Sequence, residues 1–436
     1  MISHLSFPEG SSINDGIEQT FCSVRYTSFD KVTDMIYDLG VGALLAKRDL
    51  KSAYRILPIR VEDFPLLGIK AGDKYYIDKF LPMGLSQSAN LFEKFSTFLQ
   101  WLVEKRSGMT TVDHLLDDFI FAGKHGSNAC MSLVNTFEEV CKELGVPIAT
   151  EKSIDPTTVM VFLGLEIDTN EMPIRVPSHK IEELTALLQD FLSRKKITLK
   201  QLQSLVGKLN FFSKAIRSSR AFLRRFYDAM LPLKKPHNFI RVAGEIKEDF
   251  RVWLDFLKHF NGVAYIPQHV WFSNEQLQLF TDSAGSVHLG AGCFFEGNWC
   301  FFPWPKEWAK TEVHKDLTFL EMVPVILTLY LWGGRLANKK VTFNVDNEAL
   351  VAVLNRQTSK SRRLMQLVRP FVLLSMRYGI VFRAVHIGSK SNAIADSISR
   401  QQWARFRRLA PEAVRGPERL PSGFLQLISN MKLQNC

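Results

Sequence analysis

Apolar and polar residues follow a short-strand pattern through the first part of the chain. ALLAKRDL (43–50), KYYIDKFL (74–81), HLLDDFIFAG (114–123) and VMVFLGLEID (159–168) are rich in β-forming residues and bounded by turns, which predicts strands. Between them, Leu91, Phe92, Phe95, Phe98, Leu99 and Leu102 fall on one face of a helix over residues 88–103, just after Pro82-Met83-Gly84. Strands with an intervening helix predict an α+β domain over residues 1–168.

From residue 177 to about residue 230 the period becomes helical. Another amphipathic helix, residues 245–260, places Phe250, Trp253, Leu254 and Leu257 on one side. The β pattern restarts near residue 277 with LQLFTD, LGAGCFFE and NWCFFPW. It continues as helix TFLEMVPVILTLYLW, strand KVTFNVD, helix NEALVAVLN, strand IVFRAVHI and helix SNAIADSIS, a separate α/β unit. Pro411, Pro417, Pro421 and several arginines predict a loose tail after Arg400. The division expected is therefore 1–168, 169–274 (helical and basic), 275–400 and a tail, 401–436. The fold class is α+β and α/β multidomain.

With 46% apolar and 23% charged residues, the composition excludes wholesale disorder and fibrous architectures. Lys plus Arg is 55 against 44 acids, a net charge of +11. Much of that excess is concentrated, because residues 194–225 contain ten Lys or Arg and no acid. Two readings stand for this run: a solvated helix face, or a surface that tracks a phosphate backbone. Phe211 and Phe212 within it read as core. The six cysteines show no C-x-x-C pair and no zinc-like spacing, which predicts a reduced intracellular setting, nuclear or cytoplasmic. The opening MISHLSFPEG lacks the features of a secretion signal, and the greasiest stretch, residues 322–332, falls short of the roughly 20 residues that span a bilayer.

The candidate chemistry lies in carboxylates. Asp49 closes the first strand, and Asp117 and Asp118 are flanked by Leu115, Leu116, Phe119 and Ile120. Adjacent acids among apolar residues need exposure at a turn or a compensating cation. Bare Asp-Asp pairs are common, so the turn reading stands beside the metal reading. Hard oxygen ligands suit Mg²⁺, and two ions about 3.5–4 Å apart can stabilise both the attacking and leaving oxygens in phosphoryl transfer.

KRDLKSAYRILPI, LPMGLSQSANLFEKF, HLLDDFIFAG, LGVPIATEKS and VFLGLEI resemble, in order and spacing, the palm motifs of reverse transcriptases. That resemblance implies a right-hand polymerase fold, with fingers and palm in residues 1–168 and a helical thumb and connection after them. It makes Asp49 and Asp117 metal ligands with Asp118 beside them. Tyr54 becomes the steric gate against a ribose 2′-OH, and Pro82, Met83, Gly84 and Ser88 line the template and nucleotide pocket. Lys152 becomes a proton donor to pyrophosphate, and Phe162, Leu163 and Gly164 the primer grip. Taken alone, Tyr54 reads as core and Lys152 as surface. Within the family, NDGI near the amino terminus, Phe119 after the acidic pair and WARFRRLAPEA near the end resemble DIRS-like retrotransposons, which encode a tyrosine recombinase. Leu115 replaces a tyrosine of many relatives, and Met83 a glutamine of retroviral enzymes. The fingers ahead of Asp49 are short, so basic residues that hold a triphosphate are expected beyond this chain, with Arg25 and Lys31 as weak substitutes.

Asp282, Glu321, Asp346 and Asp396 follow with separations of 39, 25 and 50 residues. Glu321 sits among Leu317, Phe319, Leu320, Met322 and Val323, where an unpaired acid is disfavoured, although a partly exposed helix position also accounts for it. The order and spacing resemble the ribonuclease H fold, implying four carboxylates around two Mg²⁺ ions, with Mn²⁺ as substitute. His386 occupies a place where some relatives carry a histidine that assists product release or proton transfer. Asn392 reads as the cap of the final helix. The whole implies RNA- and DNA-directed DNA polymerisation linked to ribonuclease H, acting on an RNA template, a DNA primer, dNTPs and RNA:DNA hybrid. Two alternatives stay open: a decayed or co-opted copy that only binds nucleic acid, and a copy that keeps the nuclease alone.

Overall fold

The computed structural model describes residues 3–216, 218–261, 264–265 and 270–431. The chain is a mixed α/β multidomain protein with two compact units, the first made of the residues up to Pro177 together with Tyr265, the second of the rest.

The first unit contains, in order, α1 (Phe29–Leu39), β1 (Leu44–Asp49), β2 (Gly68–Ala71), β3 (Lys74–Ile77), α2 (Ser88–Ser107), β4 (Val112–Leu115), β5 (Asp118–Gly123), α3 (Ala129–Glu143), β6 (Ile154–Thr157), β7 (Val159–Phe162), β8 (Leu165–Asp168) and β9 (Pro173–Arg175). Its central sheet has the order β4-β5-β1-β6 and is antiparallel throughout. β1 is flanked on both sides, so Leu45 and Ala46 are buried and Asp49 lands at the end of a fixed strand. α2 and α3 cover the sheet, with Phe92, Leu99, Phe121 and Phe137 fully buried between them. The α3 segment was not anticipated, yet Cys130, Leu133, Val134, Phe137, Val140 and Cys141 carry the three-to-four-residue spacing that forms it.

Along the rest of the chain come α4 (Ser178–Ser193), β10 (Lys196–Thr198), α5 (Leu199–Phe212), α6 (Arg224–Met230), β11 (Phe239–Arg241), α7 (Gly244–His259), β12 (Ala264–Tyr265), β13 (Trp271–Phe272), α8 (Asn274–Leu277), β14 (Leu279–Ser283), β15 (Gly290–Phe295), β16 (Asn298–Pro303), α9 (Leu317–Trp332), β17 (Lys340–Val345), α10 (Glu348–Arg356), α11 (Arg362–Arg377), β18 (Val381–His386), α12 (Ala393–Ser399), α13 (Trp403–Leu409) and α14 (Ser422–Ser429). β14, β15 and β16 form an antiparallel meander, and β13, β17 and β18 pair in parallel beside β14. The basic helical stretch and this α/β stretch belong to one compact unit. They are tied by Asp249 of α7, fully buried, which accepts bonds from Arg369 of α11 at 2.5 and 3.1 Å and from Arg225 at 3.1 Å.

The stretch after Arg400 departs from the loose tail expected of it. Phe406, Ala410 and Ala413 join Phe294, Trp299 and Ile398 in one apolar cluster, and Phe424 packs edge-on against Phe302 at 5.1 Å. The indole of Trp299 donates to the Val414 carbonyl at 2.8 Å, and that of Trp332 to Glu418 at 3.1 Å. Pro411 lies just past the end of α13 and Pro421 just before the start of α14; the large side chains supply the burial. Residues 432–436, the end of the expected tail, lie outside the described residues. Among the described residues no helix is long and apolar enough to cross a membrane.

Candidate functional site

The first group of carboxylates is assembled by strand pairing. Asp49 at the end of β1 lies opposite Asp118 at the start of β5, and Leu116 and Asp117 form the two-residue turn from β4. Leu116 takes up the left-handed conformation such a turn requires, φ 55°. Its N–H donates to Glu93 of α2 at 3.1 Å, and the Leu50 N–H donates to the Asp117 carbonyl at 3.0 Å. The turn is thus held from both sides. Glu93, a site-bracing residue beyond those the sequence motifs single out, is signalled by being a buried glutamate on α2.

Burial pushes the Asp49 carboxyl above its usual range, and Lys152 partly offsets this by donating to both its oxygens at 3.2 Å. Asp117 is raised too, chiefly by burial. Lys47 pairs with Asp118 at 2.8 Å. Two lysines therefore balance three crowded carboxylates, a donor set of hard oxygens that fits a divalent cation.

Around this turn the other singled-out residues are fixed as follows. Ser52 and Ala53 both have positive φ, 70° and 35°, and lead into a short 3₁₀ turn carrying Tyr54, whose ring meets Phe92 edge-on at 5.3 Å. Tyr54 is half-buried, and burial raises its phenol pKa. The Ser88 hydroxyl donates to the Pro82 carbonyl at 2.7 Å. Met83 is exposed, and Gly84 has φ 112° with the Ser3 carbonyl oxygen 1.9 Å from where a Cβ would sit. Asn14 of the NDGI run donates to the Gly84 carbonyl at 2.9 Å and accepts from the Ser86 N–H at 2.9 Å, so it braces the chain at Gly84 and Ser86. Phe162, Leu163 and Gly164 make the β7–β8 turn, with Phe162 fully buried and positive φ at the other two. Lys31 is occupied by Asp113 at 3.1 Å.

The second group draws on four elements. Asp282 lies on β14, Glu321 on α9, Asp346 follows β17, and Asp396 lies on α12. One oxygen each from Asp282, Glu321 and Asp346 falls within 4.8 Å of the others, and among the described residues this is the grouping of three that reaches such closeness. Asp282 and Glu321 are buried at 4% and 8% exposure. Burial and the neighbouring Asp346 and Asp396 push Asp282 up to about 7, although the Ser399 hydroxyl donates to it at 2.5 Å. Glu321 is pushed well above its usual range, first by burial and then by Asp282 and Asp346, while Ser283 donates to it at 2.8 Å. Three crowded, mostly buried carboxylates require a cation if all are to be ionised, so the donor set fits a divalent metal.

Asp396 is bound differently from its companions. Its two oxygens accept from Arg400 Nε at 2.5 Å and from Arg405 Nη1 at 2.6 Å. Asn392 begins α12, yet its side chain makes no cap; it donates to the Thr281 carbonyl at 2.7 Å and reaches Asp282 at 3.4 Å. The pull toward the buried β14 overrides the local capping preference. Gly292 explains how α12 comes so close: a Cβ there would lie 2.7 Å from Ala395 O and Ser399 N. His386 ends β18 in register with Val345, next to Asp346, and its ring is exposed.

In the basic stretch, Phe212 is core as expected, but Phe211 is half-buried and carries Lys180 over its ring at 4.8 Å and Lys214 at 6.0 Å. Lys195, Lys196, Lys200, Lys214 and Arg220 are exposed, whereas Arg224 and Arg225 pair with acids. Arg217 lies outside the described residues.

Compared with known proteins, the chain matches no family model. It is 27% identical to Protein P of duck hepatitis B virus (strain United States/DHBV-16) over 195 residues, 44% of this chain and 23% of that protein. It is 28% identical to the Pro-Pol polyprotein of feline foamy virus over 221 residues, 48% of this chain and 17% of that protein. The chain therefore spans less than a quarter of either relative. Each of these two matches covers less than half of this chain. Among solved structures it resembles foamy viral protease-reverse transcriptase in complex with double-stranded DNA (TM-score 0.46, 14% identity, 83% of this chain and 71% of that one). It also resembles that protein in complex with an RNA/DNA hybrid (TM-score 0.45, 16% identity, 83% and 46%).

Proposed function

We propose that the chain is the polymerase and ribonuclease H portion of a retroelement reverse transcriptase, with DIRS-like retrotransposons as its source group. It would copy an RNA template, and then DNA, from a DNA primer with dNTPs, and cleave the RNA of the resulting hybrid. Fingers and palm are assigned to residues 1–168, thumb and connection to 169–274 and ribonuclease H to 275–400. Its place of action is intracellular, nuclear or cytoplasmic. The observation that carries the reading is the close group of buried Asp282 and Glu321 with half-buried Asp346, supported by the similarity to hepatitis B virus Protein P and foamy virus Pro-Pol polyprotein. The DIRS-like assignment rests on NDGI, Phe119 and WARFRRLAPEA.

In this reading Asp49, Asp117 and Asp118 hold Mg²⁺ or Mn²⁺ for nucleotidyl transfer, and Asp282, Glu321, Asp346 and Asp396 hold it for hydrolysis. When bound, such ions stabilise charge on attacking and leaving phosphate oxygens. The chain's own groups supply the rest. Lys152, whose pKa is raised by its bond to Asp49, stays protonated at neutral pH and can give that proton to pyrophosphate. Tyr54 stands as the gate beside the sugar, and Pro82, Met83, Gly84 and Ser88 form a pocket loop braced by Asn14. Phe162, Leu163 and Gly164 orient the primer end, and His386 serves proton transfer or product release at the nuclease. The exposed lysines of α5 and its flanks contact phosphates without reading sequence.

A second reading, nucleic-acid binding without polymerisation, is favoured by one observation: Lys31, a basic residue expected to help hold a triphosphate, is engaged by Asp113. Primer extension on an RNA template with dNTPs and Mg²⁺ separates the two. Extension that disappears in Asp117→Asn supports polymerisation; equal extension, or none in either protein, rejects it. Cleavage of a labelled hybrid by the wild type and not by Asp282→Asn establishes the nuclease separately.

A further inference from the structure

We propose that Arg405 is the resident counter-ion of Asp396 and competes with divalent cations for it, so that Asp396 joins Asp282, Glu321 and Asp346 only when Arg405 swings away. This rests on the reading of those carboxylates as cation ligands. Both oxygens of Asp396 are engaged, one by Arg400 and one by Arg405, whereas Asp282 and Glu321 accept neutral hydroxyl bonds from Ser399 and Ser283. A guanidinium beside a carboxylate satisfies its charge and repels a second cation sharing that oxygen.

The two arginines differ in how they are held. Arg400 follows α12 directly and bonds Asp396 four residues back, and it also feels the charges of Asp282 and Asp346, so it is drawn into the acidic group. Arg405 belongs to α13, whose position is fixed by Phe406 in the apolar cluster and by Trp403 against Trp299 at 5.5 Å. Its other bond, 2.9 Å to Gln402, is to a side chain of the exposed surface, and its own side chain is 40% exposed. Arg405 can therefore leave Asp396 by side-chain rotation alone, with the helix in place. The tail after Arg400 thus sets how readily the fourth carboxylate takes a metal, making Arg405 a positioning residue.

The test is direct Mn²⁺ binding by the full chain, followed by calorimetry, for the wild type, Arg405→Ala, Arg405→Gln, Asp282→Asn, Asp396→Asn and the double variant Arg405→Ala/Asp396→Asn. Removing the competing charge is expected to tighten Mn²⁺ binding roughly tenfold, the factor corresponding to about 1.4 kcal/mol. Arg405→Gln, which retains a polar side chain on α13, is expected to tighten it in the same direction, and the gain is expected to vanish in the double variant. Unchanged or weaker binding in both folded Arg405 variants, while Asp282→Asn still weakens it, overturns this inference and leaves the metal reading intact. Absence of binding in the wild type overturns both.

Discussion

Stripping divalent ions from the protein is expected to make its stability fall as pH rises from about 4 to about 7, and Asp282 is the main reason. Its carboxyl titrates near 3.8 when unfolded and is pushed up to about 7 when folded, by burial first and then by Asp346 and Asp396. The folded state holds the proton more tightly, so between those pH values it binds more protons than the unfolded chain. The contribution from Asp282 is then full below about pH 4 and lost as pH climbs through about 7, the reverse of an ordinary salt-bridged aspartate. At about 1.4 kcal/mol per tenfold in proton affinity the loss is roughly 4 kcal/mol. For a unit of this size that is roughly 10 °C in melting temperature. The assay is thermal unfolding in EDTA from pH 4 to 8 for wild type and Asp282→Asn. The asparagine cannot ionise, so its curve is expected to be flatter by that amount. Adding Mn²⁺ at pH 7.5 is expected to restore the wild type, because a ligand that binds only the folded state stabilises it by mass action. Parallel pH curves for the two proteins would refute the argument that burial and mutual repulsion govern this site.

Two further outcomes follow from packing. Arg369→Ala leaves Asp249 buried with only Arg225, which is expected to destabilise the second unit by about 3–5 kcal/mol in denaturant titration. Phe406→Ala empties the centre of the cluster with Phe294 and Trp299 and is expected to cost about 3–5 kcal/mol, read as a lower midpoint in the same titration; a change within error would return the tail to the status of a linker.

Strand periodicity and the placement of acids were legible because they are local. β1 is a short run of β-forming residues that closes at Asp49, and a turn at Leu116-Asp117 follows from two acids interrupting β-forming residues. The route of α11 and the tail was harder to see, because Pro370, Pro411, Pro417 and Pro421 mask helical periods that are present once Phe371, Phe406 and Phe424 are read as buried. What no local pattern holds is which cation faces which carboxylate. Lys152 reaches Asp49 across 103 positions and Ser399 reaches Asp282 across 117. Such pairings depend on how strands and helices stack, as Gly292 illustrates: its missing side chain lets α12 settle on β15 and carries Ser399 and Asp396 to β14. The resemblance to the ribonuclease H fold nominates Asp396 as a ligand, but its engagement by Arg405 arises only once α13 packs through Phe406. Site composition is therefore a property of sequence, while the charge balance that tunes the site is a property of packing.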